Sequence, residues 1–420
     1  MSPRAWVSAC ALVVALSPLG CTSGSTGGTE RTIGFEVQRL LPLANGEVVV
    51  GGIRIASRSG ARCDDGQHEL DDFVLVRLRP DGSRAGTLEL RGDRVGGCAR
   101  SIDDLLELSD GRLLLSGWAF HPSEGCCEDN SSQAPIIARF GARGLDEKFG
   151  RGGVVGTGEP SARIAGLADG SIVTAAGRRY RSDGEVGAAV SAPIADAVFA
   201  GGIAVLPRRR FAVASLVRAQ MRAFVLQVFT QDGREEARSK TTFAPARRYS
   251  TADLLDVVAG RGKVYVLGQY SPGPGGKLYA HFLYRFDFHG RVDRTFGHHG
   301  RLLVGTPGRA VAVDQVALQP DGRILVVGAV RDGPWRLFVT RYTATGKPDA
   351  TFGRSGTRFR SLGPARSSVL GNTRTSIGVR RDGRIVAAAT TLARRTAVFR
   401  LRPDGAIDPG FGTHGKVELP

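Results

Sequence analysis

Short runs of Val, Ile, Leu and Phe recur along almost the whole chain, separated by turn residues, with hardly any apolar spacing of helical period. Runs of this length with period-two alternation predict short β-strands joined by tight turns. The clearest stretch reads Val313-Asp314-Gln315-Val316-Ala317-Leu318-Gln319-Pro320-Asp321-Gly322-Arg323-Ile324-Leu325-Val326-Val327-Gly328. Asp321-Gly322 supplies the positive-φ residues of a tight hairpin turn, and the β-branched flanks suit a pleated, buried surface. A third strand, Leu337 to Tyr342, follows, and then Asp349-Ala350-Thr351-Phe352-Gly353.

The hairpin phrase returns around Asn45-Gly46, Asp110-Gly111, Asp169-Gly170, Arg261-Gly262 and Asp382-Gly383, with a degenerate copy at Pro207-Arg208-Arg209. Third strands are expected at Phe73 to Leu78, Pro135 to Phe140, Phe224 to Phe229, His281 to Phe286 and Ala397 to Leu401. Asp-x-x-Phe-Gly occurs four times, beginning at Asp146, Asp293, Asp349 and Asp408, and a short fourth strand such as Arg301 to Val304 leaves it. Seven such units, typically about 60 residues apart, argue for blades around an axis, with a solenoid of stacked sheets as the runner-up.

The Gln-Pro-Asp-Gly-Arg-Ile-Leu-Val-Val-Gly and Asp-x-x-Phe-Gly-x-x-Gly phrases resemble the delta-60 repeat of bacterial β-propellers, over roughly Phe35 to Leu419. The resemblance implies a propeller on an exported or surface protein, and it brings no catalytic residues with it. The expected fold is an all-β propeller of seven four-stranded blades in one domain over 34–420, or fewer blades if the weakly matching third and fourth units merge. The first hairpin, Glu36 to Gly51, has no short strand before it, whereas the C-terminus ends on one, Gly415 to Leu419. Pairing of this C-terminal strand into the first blade is the expected closure, because it removes two exposed sheet edges.

Residues 1–20 carry Arg4 and the apolar run Ala5 to Leu16, the layout of a secretory signal peptide. Gly20-Cys21 before the Ser/Thr/Gly stretch resembles a bacterial lipoprotein site, with Cys21 lipidated and 21–33 a flexible tether. Pro18 stands where that motif has leucine, which leaves cleavage and secretion without lipid as the alternative. The expected location is exported, as a cell-envelope lipoprotein or a secreted protein, with membrane contact through the lipid alone. In an oxidising compartment Cys63, Cys98, Cys126 and Cys127 are candidate disulfide cysteines. Cys63 with Cys98 and a vicinal Cys126-Cys127 bridge is the simplest pairing; three connectivities are open, and a thiolate metal site is a sharper alternative.

The 58 glycines and 20 prolines fall between the strands and add nothing to the turn reading, whereas the formal net charge of +17 does. Most of the excess is arginine, and the field attracts anionic surfaces without defining a site. No Gly-x-Ser-x-Gly, His-Glu-x-x-His, phosphate loop or Cys-x-x-Cys occurs. Asp146, Asp293, Asp349 and Asp408 read as acceptors for turn amides, the alternative being a ring of metal-binding carboxylates. His298-His299 and His414 share a loop position open to metal or to solvent.

The functional expectation is a binding or scaffold module at the envelope, with no cofactor, no catalytic residues and no bound metal. A propeller enzyme, either a lactonase-like hydrolase or a quinone-dependent dehydrogenase with its site in the axial funnel, is the alternative. Loops of unequal length, Ala56 to Leu70, His121 to Ala134 and Ser271 to Leu278, are the expected recognition face. The partner is expected to be an envelope protein or an acidic glycan, no nucleic acid is expected, and the chain is expected to be a monomer.

Overall fold

A computed structural model of the chain describes residues 31–57, 71–95, 98–121, 132–159, 163–190, 197–217, 223–242, 249–272, 279–304, 310–331, 334–362, 374–390 and 395–419. Seven antiparallel sheets follow one another, at 31–90, 98–156, 164–180, 197–242, 249–303, 310–361 and 375–419, here blades 1 to 7. Each is a meander in chain order, four-stranded except blade 3, which has three strands among the described residues. The first strands are Arg31–Pro42, Cys98–Glu107, Ile164–Gly166, Ala197–Leu206, Tyr249–Gly260, Ala310–Leu318 and Thr375–Val379. Each touches the first strand of the next blade, and Thr375–Val379 touches Arg31–Pro42, so the ring closes with the first strands around its axis. No helix among the described residues is long and apolar enough to cross a membrane.

The sheets form because both faces of their middle strands are apolar and buried between blades. Phe224, Phe282 and Phe286 lie in one cluster between blades 4 and 5, with Phe224 and Phe286 edge to face at 5.8 Å. Each such ring contributes about 1.5–3 kcal/mol on burial. The turns use the chemistry the sequence implies: Gly322 sits at φ 90° while Asp321 accepts the Arg323 amide at 2.9 Å. The degenerate hairpin of blade 4 is real, joining Ala197–Leu206 to Arg210–Val217, but it places Arg208 and Arg209 at φ 59° and 56°. Both central residues of such a turn need positive φ, which arginine adopts only with strain.

The closure differs from the expected one. The C-terminal strand, Lys416–Leu419, pairs with Thr396–Leu401 of its own blade, and blade 1 completes itself with Arg84–Leu90. No strand is exchanged among the described residues, because blades 1 and 7 each carry their own outer strand. The seam between blades 7 and 1 closes through packing of Phe35, Val50 and Leu78 against Val386, Val398 and Phe411, and through polar contacts. Leu40 N–H donates to Ser376 Oγ at 2.8 Å, and Thr396 Oγ1 donates to the Phe35 carbonyl at 2.8 Å.

The four Asp-x-x-Phe-Gly turns supply the other part of the seam. In blade 7, Asp408 lies 2.8 Å from Arg400 on the third strand and 2.9 Å from Arg384, which follows the first turn. The Arg400 guanidinium lies over the Phe411 ring at 4.7 Å and donates to the Pro80 carbonyl of blade 1. Gly412 N–H donates to the Asp81 carbonyl at 2.7 Å. A Cβ on Gly82 would lie 2.6 Å from that same amide, so glycine is required there for close approach as well as for its φ of 89°. The arrangement repeats as Asp146, Arg139 and Arg112, as Asp293, Arg285 and Lys263, and as Asp349, Arg341 and Arg323. The arginines there donate to Ser182, Ala344 and Pro403, each in the following blade. Burial opposes the charge of Asp349, but its Thr351 bonds and the two guanidinium groups more than offset this and hold it at about 2.

Four outcomes follow for stability. Asp408→Asn keeps an acceptor for the Gly410 amide but leaves the buried Arg400 without its countercharge, so it is expected to cost about 3 kcal/mol in denaturant unfolding. The exposed Asp404→Asn should stay within about 0.5 kcal/mol. Replacing Arg208-Arg209 by Asn-Gly is expected to stabilise the protein by about 1 kcal/mol, read from the same midpoint shift. His281, 1% exposed, has its pKa pushed down to about 4 by burial. The unfolded chain therefore binds the proton first, and stability falls from about pH 6.5 towards pH 4 by up to about 1.4 kcal/mol per unit. Comparing urea midpoints at pH 7 and pH 5 tests this; an equal slope in His281→Gln would refute the assignment.

Candidate functional site on the turn face

Of the residues singled out in the sequence, Cys21, Cys63, Cys126 and Cys127 lie outside the described residues. Cys98 opens the first strand of blade 2. The loops 58–70, 122–131 and 273–278 also lie outside them. Asp146, Asp293, Asp349 and Asp408 are held in four different blades, each within 3.0 Å of two cationic side chains. Among the described residues no cluster of His, Cys, Asp and Glu is arranged to hold a metal ion. His299 and His414 recur because their position has φ 53° and 52°, as does Ser355 at 50° in blade 6. Histidine is among the residues that tolerate this left-handed conformation, so the recurrence has a backbone cause.

The ring axis holds a charged cluster that the sequence reading did not assemble. Arg163 of blade 3 donates to Asp104 of blade 2 at 3.0 Å and to the Leu255 carbonyl of blade 5 at 2.7 Å. A bond that skips blade 4 is possible only across the axis. Arg39 of blade 1 donates to the Asp103 carbonyl, and burial with the neighbouring Arg163 pushes its pKa down to about 10. Asp104 accepts the Ile164 amide, Asp256 the Val316 amide and Asp314 the Thr375 amide, each from the next blade in the ring. Burial raises Asp104 and Asp314 above the usual carboxylate range.

These side chains reach their positions through bulges in the first strands, between Val37 and Arg39, Ile102 and Asp104, Leu254 and Asp256, and Val313 and Gln315. A bulge sets two residues against one and re-aims the side chains beside it. The available signal was a polar residue interrupting an apolar run at the same phase of four repeats. Every carboxylate in this cluster has a donor, and the arrangement caps strand edges around the axis.

A pocket with unspent chemistry lies at the other kind of position. In an antiparallel meander the turns after the first and third strands share one end of the blade, here the turn face. Between the turns of blades 5, 6 and 7 is a pocket of about 590 Å³. Arg261, Lys263, Arg285, Arg380, Arg381 and the single carboxylate of Asp321 supply its charge. Four of the cations are engaged: Lys263 and Arg285 with Asp293, Arg261 with the Pro320 carbonyl at 2.6 Å, and Arg380 with the Gly46 carbonyl at 2.6 Å. Arg381 is exposed and makes no hydrogen bond or ion pair among the described residues. Tyr265, 3% exposed, lies beneath them, and burial raises its hydroxyl pKa despite the nearby Arg285.

No curated protein matches the sequence. Among solved structures the chain is similar to a protein of unknown function from Dyadobacter fermentans, at 11% identity and TM-score 0.46, covering 90% of this chain and 96% of that one. It is also similar to the β-propeller domain of the Trilobed protease from Pyrococcus furiosus, at 12% identity and TM-score 0.41, covering 87% and 95%. A periplasmic gluconolactonase from Pseudomonas aeruginosa is similar at 12% identity and TM-score 0.38, covering 91% and 85%. The family described as a domain of unknown function (DUF5122) beta-propeller matches residues 319–352 and 380–411. Those two stretches run from the first turn to the clamp phenylalanine of blades 6 and 7, so this chain is a seven-bladed β-propeller whose last two blades carry the DUF5122 pattern.

Proposed function

We propose that this protein is a binding propeller of the bacterial cell envelope that docks an anionic partner, an acidic glycan or the acidic surface of an envelope protein, on its turn face. One observation carries the reading. Arg208, Arg209 and Arg381 occupy the first-hairpin turns of blades 4 and 7, are exposed and make no hydrogen bond or ion pair through their guanidinium groups among the described residues, whereas the buried Arg139, Arg285, Arg341 and Arg400 are committed to blade seams. The net charge of +17 therefore includes cations on the turn face with no structural employment among the described residues. Guanidinium groups suit this use because they are weakly hydrated and pair bidentately with carboxylate, phosphate and sulfate. The envelope address rests on the charged start, the apolar run and Gly20-Cys21. Charge of this kind mainly accelerates encounter.

The expected result is binding of the protein to immobilised polygalacturonate and not to neutral dextran. Raising salt from about 0.1 M to about 1 M shortens the Debye length from about 10 Å to about 3 Å and should cut the association rate at least tenfold. The triple substitution Arg208→Ser, Arg209→Ser, Arg381→Ser should reproduce most of that loss at low salt. Equal binding to dextran, or a rate that ignores both salt and the substitutions, would overturn the reading.

A further inference from the structure

We infer that the pocket between blades 5, 6 and 7 is a monosaccharide site that takes a sugar ring bearing one carboxylate, a uronate-type residue; this rests on the turn-face reading and names its ligand. The walls are of two kinds. Ala259, Leu318 and Val379, at or next to the ends of three consecutive first strands, are partly buried and apolar. They offer a surface on which the C–H face of a pyranose can pack. The rim and floor are cationic, and the volume of about 590 Å³ falls within the range of small-molecule sites. A ligand matched to both must be amphipathic, with an apolar face and an anionic edge.

The number of free charges selects the anion. Lys263 and Arg285 share Asp293, Arg261 and Arg380 are held on backbone carbonyls, and Arg381 alone has a guanidinium uncommitted to the described residues. One guanidinium fork matches one planar carboxylate through two parallel N–H···O bonds. A phosphate dianion would meet Asp321 across the pocket with only that one free cation to oppose it. For a sugar, Asp321 has the opposite effect: a carboxylate has about four lone-pair sites, and the Arg323 amide and guanidinium leave room for a ring hydroxyl to donate. Arg381 reaches this position because it is the first turn residue of blade 7, where blade 6 has Pro320.

The test uses the full chain and three small probes, galacturonate, glucose and inorganic phosphate, titrated by calorimetry against the wild type, Arg381→Ala and Arg381→Lys. Galacturonate is expected to bind at least tenfold more tightly than glucose or phosphate. Arg381→Ala should lower its affinity at least tenfold, and Arg381→Lys should restore only part of it, because an ammonium lacks the fork. Arg381 is exposed, so a melt equal to wild type identifies the loss as one of binding. Phosphate or glucose binding as tightly as galacturonate, or an Arg381→Ala protein of unchanged affinity, would overturn the assignment. If these monomer results fail while polygalacturonate still binds in a salt-dependent way, the pocket is refuted and the turn-face reading stands; loss of both refutes both.

Discussion

In a ring of separate sheets, no main-chain ladder crosses from one blade to the next. Apart from isolated main-chain bonds such as Gly412 N–H to the Asp81 carbonyl, what holds the circle together is made by side chains reaching over a seam, and here that task falls chiefly to buried guanidinium groups. Arg139, Arg285, Arg341 and Arg400 each combine three interactions: an ion pair with the repeat aspartate, a stack on the repeat phenylalanine, and a bond to a backbone carbonyl of the following blade. Burying such a cation is costly unless it is paired and its donors are satisfied. The aspartate supplies the countercharge and the carbonyl across the seam takes a donor, while the buried Nε of Arg285 and of Arg341 has no hydrogen-bond partner among the described residues.

Closure depends on this more than on strand exchange. The junction of blades 7 and 1 is built like the junctions of blades 2 and 3 or 6 and 7, so the ring has no distinct fastening point. Blades 3 and 4 lack the phrase and use substitutes: Arg179 pairs with Asp169 and donates to the Gln231 carbonyl of blade 4, and Arg210 donates to the Phe288 carbonyl of blade 5. Their weak match to the repeat goes together with the three strands that blade 3 has among the described residues.

At the axis the same economy appears. Carboxylates set by bulges accept the edge amides of neighbouring first strands, and Arg39 and Arg163 bind the cluster across the centre. Charge is therefore consumed in three places, the seams, the axis and the turns, before any remains for a partner. Part of what remains among the described residues lies on the turn face, and Arg381 at the edge of an amphipathic pocket is its sharpest instance.

The strands, the turns, the seven-fold repeat and the all-β class were legible in the sequence, because period-two patterning and Asp-Gly turns are local properties of a few residues. The aspartates were legible as turn acceptors for the same reason; that they also hold two cations was not, since Asp408 and Arg384 belong to phrases 24 residues apart that meet only when the sheet forms. The route of the C-terminal strand was read wrongly, because pairing with its own blade or with the first satisfies the same hydrogen-bonding need and only packing chooses. The axial cluster and the pocket were invisible for a deeper reason. Each gathers residues from three or more blades, so no window of sequence contains it, and the bulges that aim Asp104 and Asp256 are a property of sheet register, which tertiary packing decides.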